Sequence, residues 1–216
     1  MFEPMKTAAG KPMKKMPAPA ATGRTNDPDG LRQRLLDTAF EAFTTRGYAS
    51  TSMQDLRELS GATGGALAHH FATKKALGLA VVHERVAAAI EESWIAPLRA
   101  APDASRGVQQ VFSGIIAGLE DQGRVNGCPL NNLAVELSGE EEFRVPMAAL
   151  FDAWRQAIAG KIRDDRKAGR GGTASPQALA TLVVATYSGA MAMARAAQSA
   201  QPLRVCAQQL KQVMAA

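Results

Sequence analysis

Few residues in this chain could do chemistry. His69 and His70 stand side by side, Cys128 sits between Gly127 and Pro129, and Asn131, Asn132 and Tyr187 are polar groups among apolar neighbours. Two histidines could hold a metal, but successive helical residues point about 100° apart, so this pair cannot chelate one ion from one face. No metal is expected. His70 is expected to pack inward beside Phe71, leaving His69 outward. Cys128 lies just before a helix start, where a thiolate is stabilised. That leaves two roles open for it, a redox or electrophile sensor and a small apolar residue packed at a turn. A catalytic cysteine would need a histidine base, and the remaining histidine, His83, lies in a distant helix. With no Ser/His/Asp, metal-ligand or phosphate-loop constellation, neither an enzyme nor a cofactor is expected.

A second group of residues could line a small-molecule pocket between helices: Phe112, Ile116, Asn132, Phe151, Trp154, Tyr187 and Met191. Asn132 and Tyr187 would be its polar anchors, and the scarcity of charge points to an apolar or neutral effector. The competing reading makes most of them ordinary core.

Positioning such residues requires a scaffold, and composition narrows its type. The 216 residues are 46% hydrophobic, 21% charged and only 5% aromatic. That balance folds, and it favours helices over a β-sandwich or barrel. Two cysteines make no disulfide framework, which points to a reducing compartment. No uninterrupted apolar run reaches the roughly eighteen residues of a membrane span, and no secretory signal opens the chain, so a cytoplasmic protein without a membrane partner is expected. Lysine and arginine number 25 against 20 acidic residues. That permits nucleic-acid binding without requiring it, because counterion release depends on a local patch.

Residues 1–28 read as a disordered basic tail, with Pro4, Pro12, Pro17 and Pro19 interrupting Lys6, Lys11, Lys14 and Lys15. It is either an arm along a phosphate backbone or a solvated leader. From Leu31, apolar residues recur at helical spacing through Leu35, Leu36, Ala39, Phe40 and Phe43, and Gly47 ends the helix. Ser52 with Asp55 caps a second helix whose stripe is Met53, Leu56 and Leu59. Gly61 breaks it. Thr63 caps a third helix, and Thr73 a fourth running toward Trp94, with Pro97 and Pro102 closing the segment. Two very short helices joined by a glycine turn describe a helix-turn-helix at about residues 52–71. Helices follow to the C-terminus, including one from about Glu141 to Lys167. In another, at 177–199, Leu179, Leu182, Val183, Val184, Tyr187, Met191 and Met193 leave almost no polar stripe. A helix apolar all round must be covered on every side. A second copy of the chain, packed through the last two helices, is the expected cover.

The segment LRQRLLDTAFEAFTTRGYASTSMQDLRELSGATGGALAHHFATKKALGLAV closely resembles the N-terminal domain of the TetR family of bacterial transcriptional repressors. The matching positions include Phe43, Gly47-Tyr48, Thr51-Ser52, Gly61, Gly65-Ala66-Leu67, His70-Phe71 and Lys74. GCPLNNLAVELS and the long helix with Trp154 resemble the ligand-binding half of one branch of that family. The resemblance implies an all-α homodimer of about nine helices. A three-helix DNA-binding domain at 29–89 would precede a ligand-binding and dimerisation domain at 90–216. Paired third helices would enter successive major grooves of a double-stranded, palindromic operator about 34–36 Å apart, and a small molecule would release it. The family often carries Lys or Arg where this chain has Gly64, and Tyr where it has Ala68. Between Ser60 and Phe71 there is no Lys or Arg. DNA contact would then fall to Thr51, Ser52, Thr63, His69, Lys74 and helix N-terminal amides, with close approach at Gly64, Gly65 and Ala66. The alternative is a helical small-molecule-binding protein that has kept the fold and lost the operator.

Overall fold

Asp55 accepts from the Ser52 backbone N–H at 2.7 Å while the Ser52 hydroxyl takes the Asp55 N–H at 3.1 Å, a reciprocal capping box. Caps of this kind punctuate the chain where the spacing predicts them. Thr63 and Thr73 each accept from a backbone N–H three residues on, and Gly61 ends the second helix at φ +67°. The computed structural model describes residues 28–215, and the tail expected at 1–28 lies outside them except for its last residue, Pro28. Among the described residues there are nine helical rods and no strand. They are α1 Pro28–Thr45, α2 Met53–Ser60, α3 Gly64–His70, α4 at 74–100, α5 Ala104–Gln122, α6 Pro129–Leu137, α7 Glu141–Lys167, α8 Pro176–Ala197 and α9 Gln201–Ala215.

Three features depart from the sequence reading. Helix α1 starts at Pro28 rather than Leu31, because proline pre-sets φ at a first helical position and lacks the N–H that would go unpaired there. Pro97 closes nothing: it stands at the start of the last α-helical stretch of α4, and the rod continues to Ala100. Helix α4 also has two π-helical stretches, Val81–Val86 and Glu91–Ile95, with right-handed helical dihedrals at every junction. The boundary expected at 89–90 therefore falls inside a continuous rod.

The first three helices and the start of α4 form a head around Leu35, Leu36, Phe43, Leu56, Leu67, Phe71, Leu77 and Val81, all buried. Leu59, expected in that core, is 49% exposed. Two charged contacts tie α1 to α4. Arg32 donates to both Glu84 oxygens, at 2.8 and 2.5 Å, and Arg85 donates to Asp37 at 2.6 Å. The Arg32 hydrogen bonds hold the Glu84 carboxylate below its ordinary value of 4.5. A carboxylate so lowered stabilises the fold fully above that ordinary value, and the contribution fades as pH falls through the lowered one. Glu84→Gln is therefore expected to lower the Tm by a small amount at pH 7, on the scale of a part-exposed ion pair at about 0–1 kcal/mol. The gap from the parent should close on acidification, as a pH series of thermal melts would read.

The body is α5–α9, with α8 packed between α7 and α9, and α9 against α5. Helix α8 reaches the length and mean hydropathy of a membrane span, 22 residues and 1.3, which an uninterrupted-run criterion missed. One side of it, from Ala180 through Val183, Val184, Tyr187, Ala190 and Met191 to Ala194, is buried in this core. The other side is bare. Leu182 is 43% and Met193 61% exposed on α8, and Val205 is 50% and Val213 44% exposed on α9.

Head and body meet at an aromatic joint. Tyr48 lies 4.9 Å from Phe43 and 5.4 Å from Phe143 between ring centroids. Gly78 of α4 passes so close that a Cβ there would stand 2.8 Å from Tyr48 Cε2. Glu136, near the end of α6, accepts from the backbone N–H groups of Tyr48 and Ala49 at 2.8 and 2.5 Å.

Candidate nucleic-acid interface and effector chamber

Helix α3 is held from behind by two anchors, Leu67 and its C-cap residue Phe71, which are 4% and 5% exposed. Its outer side presents Gly64, Gly65, Ala68 and His69 to solvent, and a Cβ added at either glycine would meet nothing within 4 Å. His69 is exposed and His70 half-buried, as expected, but the two imidazoles do not part: their rings meet edge-on with centroids 5.3 Å apart. No group of three or more metal-ligating side chains occurs among the described residues.

The other expected DNA contacts divide. Ser52 and Thr63 are exposed at the starts of α2 and α3, where their oxygens cap backbone N–H groups. Ala66 is half-buried. Thr51 is corrected: it is 1% exposed and its hydroxyl donates to the Gly47 carbonyl at 2.8 Å, so it shapes the loop before α2 and cannot reach a phosphate. Lys74 is half-buried, with its ammonium 4.3 Å from the Tyr48 ring centroid and 3.4 Å from the Ala49 carbonyl. Desolvation there lowers its pKa. Tyr48 was not among the expected site residues, although Gly47-Tyr48 is the signal that places it.

Inside the body, Trp94, Trp154, Tyr187 and Phe112 make a cluster of edge and tilted ring contacts. Centroids lie 4.8 Å apart for Trp94–Trp154 and Trp94–Tyr187, and 5.5 Å for Trp154–Tyr187. A cavity of about 30 Å³ opens among Trp94, Trp154, Tyr187 and Cys128. Of the seven expected ligand residues, Trp154 and Tyr187 line it. Phe112, Ile116 and Met191 are buried core, and Phe151 stacks on Trp154 at 6.4 Å while half-buried, so none of these four lines a described cavity. Asn132 is no simple anchor. Its amide donates to the carbonyls of Thr44 and Asn126, both at 2.9 Å, and so straps α6 to the end of α1. Trp94 was missed as a site residue because in sequence it is only the end of an apolar stripe.

Cys128 is 5% exposed, and burial pushes its thiol up more strongly than the Leu130 and Asn131 amides pull it down. That is the environment of an inert packed thiol. It lines both the small cavity and an open groove of about 520 Å³ between α6 and α8, whose other lining residues include Asn131, Asn132, Val135, Ser188, Ala192 and Arg195. Another recess, of about 350 Å³, lies among Asp103, Arg106, Ile162, Arg170 and Met214 and holds none of the expected residues.

Comparison with known proteins assigns this architecture. The profile described as bacterial regulatory proteins, tetR family, matches residues 35–81. A helix-turn-helix-type transcriptional regulator of Mycobacterium tuberculosis is 30% identical over 205 residues, spanning 87% of this chain and 95% of that protein. The chain belongs to the TetR family. Residues 104–209 of this TetR-family regulator match the profile of the LmrA/YxaF-like transcriptional regulator C-terminal domain. The transcriptional repressor DhaR of Mycobacterium sp. strain GP1 is 25% identical to the regulator over 182 residues, covering 80% of this chain and 86% of DhaR. The reduced form of E. coli NemR shares the fold, with a TM-score of 0.79 at 20% identity over 86% of this chain and 97% of that one.

Proposed function

We propose that this TetR-family regulator is a repressor that binds a palindromic operator as a homodimer and is released by a small molecule. The observation that carries the reading is the outer side of α3. It is clamped through Leu67 and Phe71, yet Gly64, Gly65, Ala68 and His69 are exposed and a Cβ at either glycine would meet nothing within 4 Å. Such a helix fits a major groove at close backbone approach, with phosphate contacts from the helix starts at Ser52, Thr63 and Lys74. The bare apolar side of α8 and α9 supports an isologous dimer. Helix α4 supports the coupling, since one rod runs from Lys74 in the head to Trp94 in the aromatic cluster. A ligand that prefers one of two positions of that rod would shift the spacing of the heads.

The test is fluorescence anisotropy on DNA from upstream of the protein's own coding sequence, with scrambled DNA as control and salt varied. Sequence-dependent binding by two protomers per site is expected. Gly64→Lys should strengthen binding and steepen the logarithmic salt dependence by about one phosphate contact, because the site is open and the added ammonium faces the groove. Binding no better than scrambled DNA at every salt would instead support a fold that has lost its operator, a reading favoured by the lack of Lys or Arg on α3.

A further inference from the structure

The chain has two tryptophans, and the fold brings both to one place. Trp94 is 2% exposed and Trp154 1%, and neither indole N–H has a hydrogen-bond partner. The Trp94 N–H acts weakly on the Tyr187 oxygen, but its geometry falls short of a hydrogen bond. A buried N–H without a well-placed acceptor is costly and uncommon, and two on touching rings leave a place for an acceptor from outside the chain.

A place for that acceptor adjoins both rings. Both indoles line the cavity of about 30 Å³ together with Ile90, Cys128, Leu130 and Tyr187. That space holds a water or one small polar group, and no more. Its lining contains no carboxylate, ammonium or guanidinium. An ion would lose its hydration there without a counter-charge, so the fitting acceptor is a neutral oxygen. Cys128 also lines the neighbouring groove of about 520 Å³, a volume that suits a small organic molecule.

We propose that the effector is a neutral, largely apolar carbonyl or ether compound whose oxygen passes Cys128 and accepts from the N–H groups of Trp94 and Trp154. Its body lies in the groove between α6 and α8. This rests on the reading of the body as an effector-binding half and names the chemistry that half selects.

The test uses the full chain without DNA. Acetophenone and α-methylstyrene have one shape and differ in C=O against C=CH₂; benzoate adds a charge. Binding is followed by tryptophan fluorescence, which reports these two rings alone. Acetophenone is expected to bind at least about tenfold tighter than α-methylstyrene and than benzoate, the scale of a restored hydrogen bond to a buried donor. Trp94→Phe and Trp154→Phe each keep an aromatic ring and remove an N–H, and each should erode that preference toward parity. Equal affinity for the two isosteres, tighter benzoate, no binding of acetophenone, or a preference that survives both substitutions would overturn the proposal. Should a variant fail to fold, the parent protein labelled with ¹⁵N decides. Its two indole N–H resonances should move downfield with acetophenone and not with α-methylstyrene, and unmoved resonances would overturn it. Operator binding is measured separately, so its loss beside an intact acetophenone preference would count against the repressor reading alone.

Discussion

A chain carrying both Leu182→Asp and Met193→Asp is expected to run as a monomer at concentrations where the parent is a dimer, and to bind its operator at least about a hundredfold more weakly. Both side chains already face solvent, at 43% and 61% exposure, so the substitutions remove little from the protomer's own core. Helix content should change little. Across an isologous contact each aspartate would be buried against the partner copy, and desolvating a charge there costs several kcal/mol per ion. The loss on DNA follows from linkage. Two heads held together bind their half-sites as one unit, and separating them forfeits an effective-concentration gain of about 10²–10⁴. Sedimentation and anisotropy on the same samples check both parts. A parent protein that sediments as a monomer, or a double variant that stays dimeric, would sink the assignment of this side to a partner copy.

Phe143→Ala should unfold the protein more readily than any surface change, by about 3–5 kcal/mol, the range for deleting a buried phenyl ring. For a chain of this size that lowers the Tm by roughly 10 °C. Phe143 is 0% exposed, and its ring supports Tyr48 and crowds Gly78, the point where α4 leaves the head. The cavity cannot collapse easily, because Tyr48 is also fixed by its backbone N–H to Glu136. Operator affinity should fall as well, even below the melting range, since the head loses its seat on the body. Thermal and denaturant unfolding would read the first effect. A loss below about 1 kcal/mol would mean that the joint repacks and that head and body are coupled elsewhere.

Much of the fold could be read directly from local signals. The caps at Ser52, Thr63 and Thr73 are short-range hydrogen bonds, each specified within three or four residues, and each forms as its sequence predicts. The exposed His69 and half-buried His70 follow from helical geometry alone. Glycines at open positions were equally legible on α3. Thr51 was not. A threonine next to a capping serine looks like a surface hydroxyl until the chain folds back and its oxygen reaches the Gly47 carbonyl.

The residues separated furthest in sequence were the least legible. Asn132 became a strap because the end of α1 offers it the Thr44 carbonyl, 88 positions away. Trp94 and Trp154, 60 positions apart, became a pair of unpartnered donors because α4 and α7 cross there. Periodicity assigned Trp94 to a core stripe, and it is buried, but periodicity carries no information about what its N–H faces. Sequence by itself therefore determined the helices, their caps, the short helix-turn-helix and the apolar helix that needs cover, since these depend on neighbours along the chain. Tertiary structure alone decided which side of α8 stays bare, how Glu136 and Tyr48 join head to body, and where two buried N–H groups await an acceptor. Those depend on contacts between distant segments, which no local pattern encodes.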